Sequence, residues 1–203
     1  MSAGVILKKI VGFVAIDDVV LAASSPFQFV EIAMNIGFFM AILVTTPYAV
    51  YSLYVFILPA LTKSEKKELL KSVPMSVCLF IFGFFYGFFI LYYALGMLAS
   101  LNTSLGIANF WNIGQFLSQM LTTAALLGLV FEFPVVLTLL IKFGIITPKT
   151  LKDHRRIAYF LLLFLVVLLP PTDGLSLLAM VVPLVLLYEV TIVLNTKKLR
   201  YLG

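Results

Sequence analysis

Residues 114–143 read GQFLSQMLTTAALLGLVFEFPVVLTLLIKF. One acidic side chain, Glu132, interrupts an otherwise uncharged run that ends at Lys142. As a helix the stretch is about 45 Å long at 1.5 Å per residue, enough to cross a hydrocarbon core about 30 Å thick. The rest of the chain has the same character. Of its 203 residues, 63% are hydrophobic and 11% charged, whereas a soluble domain is about half apolar and a quarter charged. One Cys, 9 Pro and 12 Gly exclude a disulfide scaffold, a collagen and a disordered chain.

Charge placement orders the spans. Twelve of the 14 Lys and Arg lie in three clusters: Lys63, Lys66, Lys67 and Lys71; Lys142, Lys149, Lys152, Arg155 and Arg156; Lys197, Lys198 and Arg200. Two turn-like connections, 102–112 and 169–174, carry none. The positive-inside rule puts the clusters and the C-terminus in the cytoplasm or its organellar equivalent, and the other connections outside. The net charge of +5 therefore marks membrane edges, and no nucleic-acid partner is expected.

The sequence thus predicts an all-α, polytopic membrane bundle of five spans, near 32–61, 73–99, 114–143, 157–170 and 175–194, with the last two short. Lipid offers exposed backbone groups no partner, so the spans are helical. Residues 25–203 form one transmembrane domain. Residues 1–24 form an external or interfacial segment, with a helix over 4–23, because Lys8, Lys9, Asp17 and Asp18 oppose insertion at about 2.5–3.5 kcal/mol each.

Glu132 lies ten residues before Lys142, about 15 Å into the membrane. A carboxylate at that depth is a functional-site candidate. Gln115, Ser118, Thr122, Ala125, Leu129 and Glu132 follow alternating steps of three and four, which predicts one helix face. Pro134 loosens the helix beside it. Glu189, eight residues before Lys197, either snorkels or pairs with the basic tail. Glu65 and Glu68 read alone as solvated loop residues pairing with neighbouring lysines. Gly83 and Gly87 form a GxxxG pattern permitting close helix approach. His154 reads as a surface residue and Cys78 as an isolated apolar-span thiol. No P-loop, zinc spacing, nucleophile elbow or dinucleotide fingerprint occurs, so no cofactor, metal or enzymatic chemistry is expected.

Several motifs combine. They are Ser25-Pro26-Phe27-Gln28-Phe29; Phe56-Ile57-Leu58-Pro59 running to Lys67; Val130-Phe131-Glu132-Phe133-Pro134; Gly144-Ile145-Ile146-Thr147-Pro148; His154-Arg155-Arg156; Leu168-Leu169-Pro170-Pro171-Thr172-Asp173; and Leu187-Tyr188-Glu189. In order, spacing and sidedness, from about residue 20 to residue 198, this resembles the TatC family, core subunits of the Sec-independent twin-arginine protein translocase.

The resemblance implies a six-helix bundle whose first helix is not represented here, residues 1 to about 24 being similar to the outer loop that follows it. It implies a signal-peptide site at Glu65 and Phe56, where the carboxylate holds the arginine pair bidentately. It implies that Glu132 meets single-pass TatA/TatB-type partners, with Gln115, Ser118 and Thr122 on the same face, and that Asp173 and Glu189 are further candidates. Ser52 stands where Gln is frequent in the family, and Leu177 where a polar residue is common. The implied setting is an oligomeric complex in a bacterial or archaeal plasma membrane, or an organellar inner or thylakoid membrane. The alternative reading is a secondary transporter using Glu132 as a proton or ion site, although no internal repeat supports it.

Overall fold

The computed structural model describes residues 19–22, 25–57, 63–169 and 174–200. Two strands, β1 (Val19–Ala22) and β2 (Asn109–Asn112), pair in parallel, with Val19 opposite Asn109 and Ala22 opposite Asn112. The helices are α1 (Gln28–Ile57), α2 (Lys63–Ser104), α3 (Ile113–Val130), α4 (Phe133–Lys142), α5 (Pro148–Asp153), α6 (Arg155–Val167) and α7 (Gly174–Arg200).

Among the described residues, four stretches are long and apolar enough to cross a membrane: Gln28–Ala49, Leu69–Ser104, Ile113–Lys142 and Gly174–Thr196. The expected span at 157–170 coincides with α6, whose 13 residues reach only about 20 Å. The last helix departs from expectation. It is not short, because α7 has 27 residues, its apolar part having 23. The polar tail continues the helical turn beyond the apolar stretch instead of ending it. The basic stretch at 63–71 is likewise the opening of α2 and not a loop. Finally, residues 19–22 are a strand and not part of a helix: their backbone is paired by β2.

Helix α2 is the central element, touching α1, α3, α4 and α7. Its approach to α3 is set by glycine. A Cβ on Gly83 would sit 2.6 Å from Cγ of Phe131, and one on Gly87 3.0 Å from Cα of Ala124. The GxxxG pair therefore faces α3, and backbones approach where side chains are absent. The core runs in layers along this seam. Ile32, Leu91, Phe116, Leu117 and Met120 fill the strand end. Phe39, Phe84, Ala124 and Ala125 fill the middle, and Tyr54, Leu69, Val135 and Leu139 the basic end. A fourth cluster, including Phe131, Leu162, Met180, Leu184 and Tyr188, joins α6 and α7 to α3 and α4. Outward faces are apolar too: Phe38, Met40, Tyr48, Phe82 and Tyr93 are all more than half exposed, as a lipid-facing bundle requires.

Polar side chains close the strand end. The buried Gln28 donates through Nε2 to Asn112 Oδ1 (2.5 Å), which also accepts the Gln115 backbone N–H (3.0 Å) and so caps α3. The buried Asn109, first residue of β2, donates through its side-chain amide to the Ala99 carbonyl (2.9 Å).

Candidate intramembrane site at the α3–α4 break

The long apolar stretch is not one helix. Pro134 has no N–H to give the Val130 carbonyl four residues back, and its ring crowds that carbonyl. Helix α3 accordingly stops at Val130, and α4 starts at Phe133 with Pro134 in its first turn. Across the break the Phe131 N–H reaches the Leu127 carbonyl (3.0 Å) and the Glu132 N–H the Leu129 carbonyl (3.1 Å). Phe131 is fully buried and seats against Gly83, which fixes the break on α2.

Glu132 occupies the N-cap position of α4 without using its side chain as a cap. The carboxylate turns to α2 instead, where the buried Ser76 hydroxyl donates to Oε2. The Tyr54 hydroxyl of α1, itself buried, shares a hydrogen bond with Ser76 and lies within electrostatic range of Glu132. The chain Tyr54–Ser76–Glu132 ties α1, α2 and the break together. The other carboxylate oxygen, Oε1, has no hydrogen-bond partner among the described residues, although it is buried.

Glu132 also walls a groove of about 590 Å³ between the α3–α4 unit and α6. Leu126, Leu129, Val136, Leu161 and Leu165 are among its apolar lining, and Glu132 is the one polar residue. Five apolar side chains on this lining, Leu126, Leu129, Val136, Leu161 and Leu168, are 40–68% exposed. The site is an open apolar channel with one carboxylate at its wall.

The predicted polar row divides. Gln115 is exposed, Ser118 and Thr122 are half-buried, and Ala125 is buried against the α1–α2 layer. Leu129 joins Glu132 in the groove, but Gln115, Ser118 and Thr122 do not line it. Phe131 and Glu132 keep right-handed helical backbone angles across the break, and Gln115, Ser118 and Thr122 miss the groove because they lie about 15–25 Å further along the helix at 1.5 Å per residue. Ser76 and Tyr54 were not anticipated from the sequence. A lone serine in an apolar helix and a tyrosine near a span end carry no signal of what they face.

Glu189 is paired differently from expectation. Its Oε2 accepts from Arg155 Nη2 at 2.7 Å and its Oε1 from the Tyr159 hydroxyl at 2.5 Å. Both partners lie on α6, because the short helix runs beside α7 and brings its first two turns level with Glu189. Beside it, the Tyr188 hydroxyl donates to the Leu151 carbonyl (2.8 Å) and holds α5. His154 is exposed, its Nδ1 against the Thr150 carbonyl (2.8 Å). Cys78 is exposed. Glu65 lies in the opening turn of α2 and Phe56 in the last turn of α1; their side chains, and all of Asp173, lie outside the described residues.

Residues 2–183 match the family model "TatC: Sec-independent protein translocase protein (TatC)". The chain is 31% identical over 168 residues to Sec-independent protein translocase protein TatCy of Bacillus subtilis (strain 168), covering 82% of this chain and 66% of TatCy. It is 30% identical over 178 residues to TatCd of the same strain, covering 86% and 72%. It therefore spans about two thirds of the length of these relatives. A crystal structure of the twin arginine translocase receptor TatC in DDM aligns with a TM-score of 0.75 at 29% identity, covering 95% of this chain and 87% of that one. With its membrane-length helices, this is an integral, multi-pass membrane protein, and the chain belongs to the TatC family.

Proposed function

We infer that this chain acts as the receptor subunit of a Sec-independent protein translocase, with two separate recognition surfaces. Its basic end faces the cytoplasm, as the three basic clusters require. There Glu65, with Phe56 beside it in the motif, holds the arginine pair of a signal peptide on a folded cargo protein. In the membrane, the Glu132 groove docks the helix of a single-pass TatA/TatB-type subunit.

The observation that carries the second surface is the half-satisfied carboxylate. Oε2 is held by Ser76, whereas Oε1 is buried with no hydrogen-bond partner among the described residues, and Glu132 lines an apolar groove. A buried unsatisfied oxygen costs about 1–3 kcal/mol. An incoming apolar helix with one hydroxyl or amide donor removes that cost and covers the groove in a single step. An intramembrane hydrogen bond of about 0.6–2 kcal/mol favours such docking without making it permanent. A groove with a single polar lining residue offers poor solvation to a hydrophilic solute, which weighs against the transporter reading.

The cargo surface is tested by photo-crosslinking a twin-arginine signal peptide to the membrane-embedded protein. Glu65→Gln removes one charge-assisted pair of about 1.5–3 kcal/mol, so crosslinking at limiting peptide falls by about tenfold or more while membrane insertion is unchanged. Full crosslinking to Glu65→Gln rejects the assignment.

A further inference from the structure

Helix α2 turns one stripe of side chains to the α3–α4 unit. Ser76, Phe80, Gly83, Gly87 and Leu91 follow steps of four and three along it. Gly83 and Gly87 seat Phe131 and Ala124, and Phe80 lies against Gly128. Phe80 and Leu91 are fully buried and Ser76 is 1% exposed. Ser76 is the hydroxyl of this stripe, level with the α3–α4 break.

A buried hydroxyl in a membrane helix has a ready acceptor in its own backbone. Thr46 donates to the Ile42 carbonyl (2.8 Å), Thr103 to Ala99 (3.0 Å), Thr191 to Leu187 (2.7 Å) and Thr196 to Ile192 (2.7 Å), each four residues back on the same helix. The Ser72 carbonyl stands at the same spacing from Ser76. The Ser76 hydroxyl donates instead across the helix seam, to Glu132 Oε2. Glu132 for its part sits at the N-cap of α4, and its carboxyl makes no capping bond to that helix. Each group turns away from its own helix to meet the other. Tyr54 of α1, whose buried hydroxyl shares a hydrogen bond with Ser76, ties the serine to a third helix.

A glutamate side chain is long and rich in rotamers, and ordering it costs conformational entropy. When that ordering is left to the moment of binding, it is subtracted from affinity. We propose that Ser76 is a positioning residue for Glu132. It holds the carboxyl group in one rotamer, with Oε2 occupied and the buried Oε1 without a partner among the described residues. An arriving helix then meets an acceptor that is already ordered. Without the hydroxyl the carboxyl turns freely, and docking has to order it. This role rests on the reading of Glu132 as the residue that docks a single-pass subunit.

Ser76→Ala removes the hydroxyl and leaves Glu132 in place. The readout is photo-crosslinking from Leu129, an exposed groove residue, in membranes titrated with single-pass TatA/TatB-type subunits, at equal amounts of folded protein. Ser76→Ala is expected to raise the subunit concentration for half-maximal crosslinking by about three- to tenfold. In a Glu132→Ala background the same substitution is expected to change nothing further, because the two residues act as one unit. Tyr54→Phe keeps the ring and removes the second hydroxyl; its smaller rise likewise disappears in the Glu132→Ala background. A shift of equal size in both backgrounds makes Ser76 a helix staple only and overturns the proposal. Unchanged docking in Ser76→Ala, alongside weakened docking in Glu132→Ala, overturns it and leaves the docking reading standing. If Leu129 crosslinks no single-pass subunit even in the unsubstituted protein, the docking reading itself fails, and the positioning role with it.

Discussion

Two of the glutamates in membrane-length helices, Glu132 and Glu189, are built oppositely. Glu189 has both oxygens satisfied by the chain itself, one by Arg155 and one by Tyr159. Glu132 has one oxygen held by Ser76 and one without a hydrogen-bond partner among the described residues, and the residue lines an open apolar groove. The first arrangement joins the short α6 to α7 and leaves neither carboxylate oxygen without a partner. The second fixes the position of the carboxylate through α1 and α2 while leaving an acceptor for something that arrives. An acidic residue in a membrane helix is thus not by itself a partner site; the unspent valence distinguishes the two.

The largest expected effect sharpens the comparison by disturbing the frame of Glu132 alone. Gly83 admits Phe131, and an added Cβ would lie 2.6 Å from its ring. Gly83→Ala forces α2 and the break apart, at about 1–3 kcal/mol for overpacking. Thermal unfolding in detergent registers it as a lower midpoint, and the Arg155–Glu189 pair is untouched. An unchanged midpoint means that the α2–α3 seam is looser than the glycine contact implies.

Next in size is the satisfied glutamate. Arg155 and Glu189 side chains are 42% and 29% exposed, so screening limits their pair to about 1 kcal/mol. A double-mutant cycle with Arg155→Gln and Glu189→Gln is expected to show coupling of that order in unfolding. Partner and cargo crosslinking stay at the level of the unsubstituted protein. Loss of partner crosslinking in Glu189→Gln would break the contrast, because a self-satisfied carboxylate would then also be recruiting.

The smallest expected change in stability belongs to Glu132. Replacing it with Ala forfeits the Ser76 bond, worth about 0.6–1.7 kcal/mol in a membrane, but also removes a buried unpaired oxygen costing about 1–3 kcal/mol. The two nearly cancel, so unfolding shifts little.

Much of this was legible in residues that break a rule. Glu132 stands out because a charge interrupts an apolar run, and Pro134 because it removes a helix donor; both mark the break that the structure contains. The basic clusters located the ends of the spans, and the sparse 157–170 stretch gave the short α6. What the sequence hides is what lies across a gap. Ser76 and Tyr54 become informative only when α1 and α2 are laid beside the break. Glu189 was expected to snorkel or to meet the basic tail, but Arg155 and Tyr159 pair with it because α6 packs along α7. Gln115, Ser118 and Thr122 lie about three to five turns before Glu132, and a helical period read from sequence gives the face but not which depth of it a groove occupies. The opening of α2 read as a loop because its charges suggested solvent, although Lys and Glu are good helix formers.

The central claim is that the unpaired oxygen of Glu132 and the groove beside it receive a partner helix. It is tested most directly by a photoreactive side chain at Leu129, an exposed groove residue, in membranes containing the single-pass TatA/TatB-type subunits. The unsubstituted site, Glu132→Gln and Glu132→Ala are compared at equal amounts of folded protein. The account predicts a strong crosslink for Glu132, a partial one for Gln, which can still accept a hydrogen bond, and a several-fold loss for Ala. A crosslink of undiminished yield in Glu132→Ala, or no crosslink to a single-pass subunit in any of the three, would contradict it.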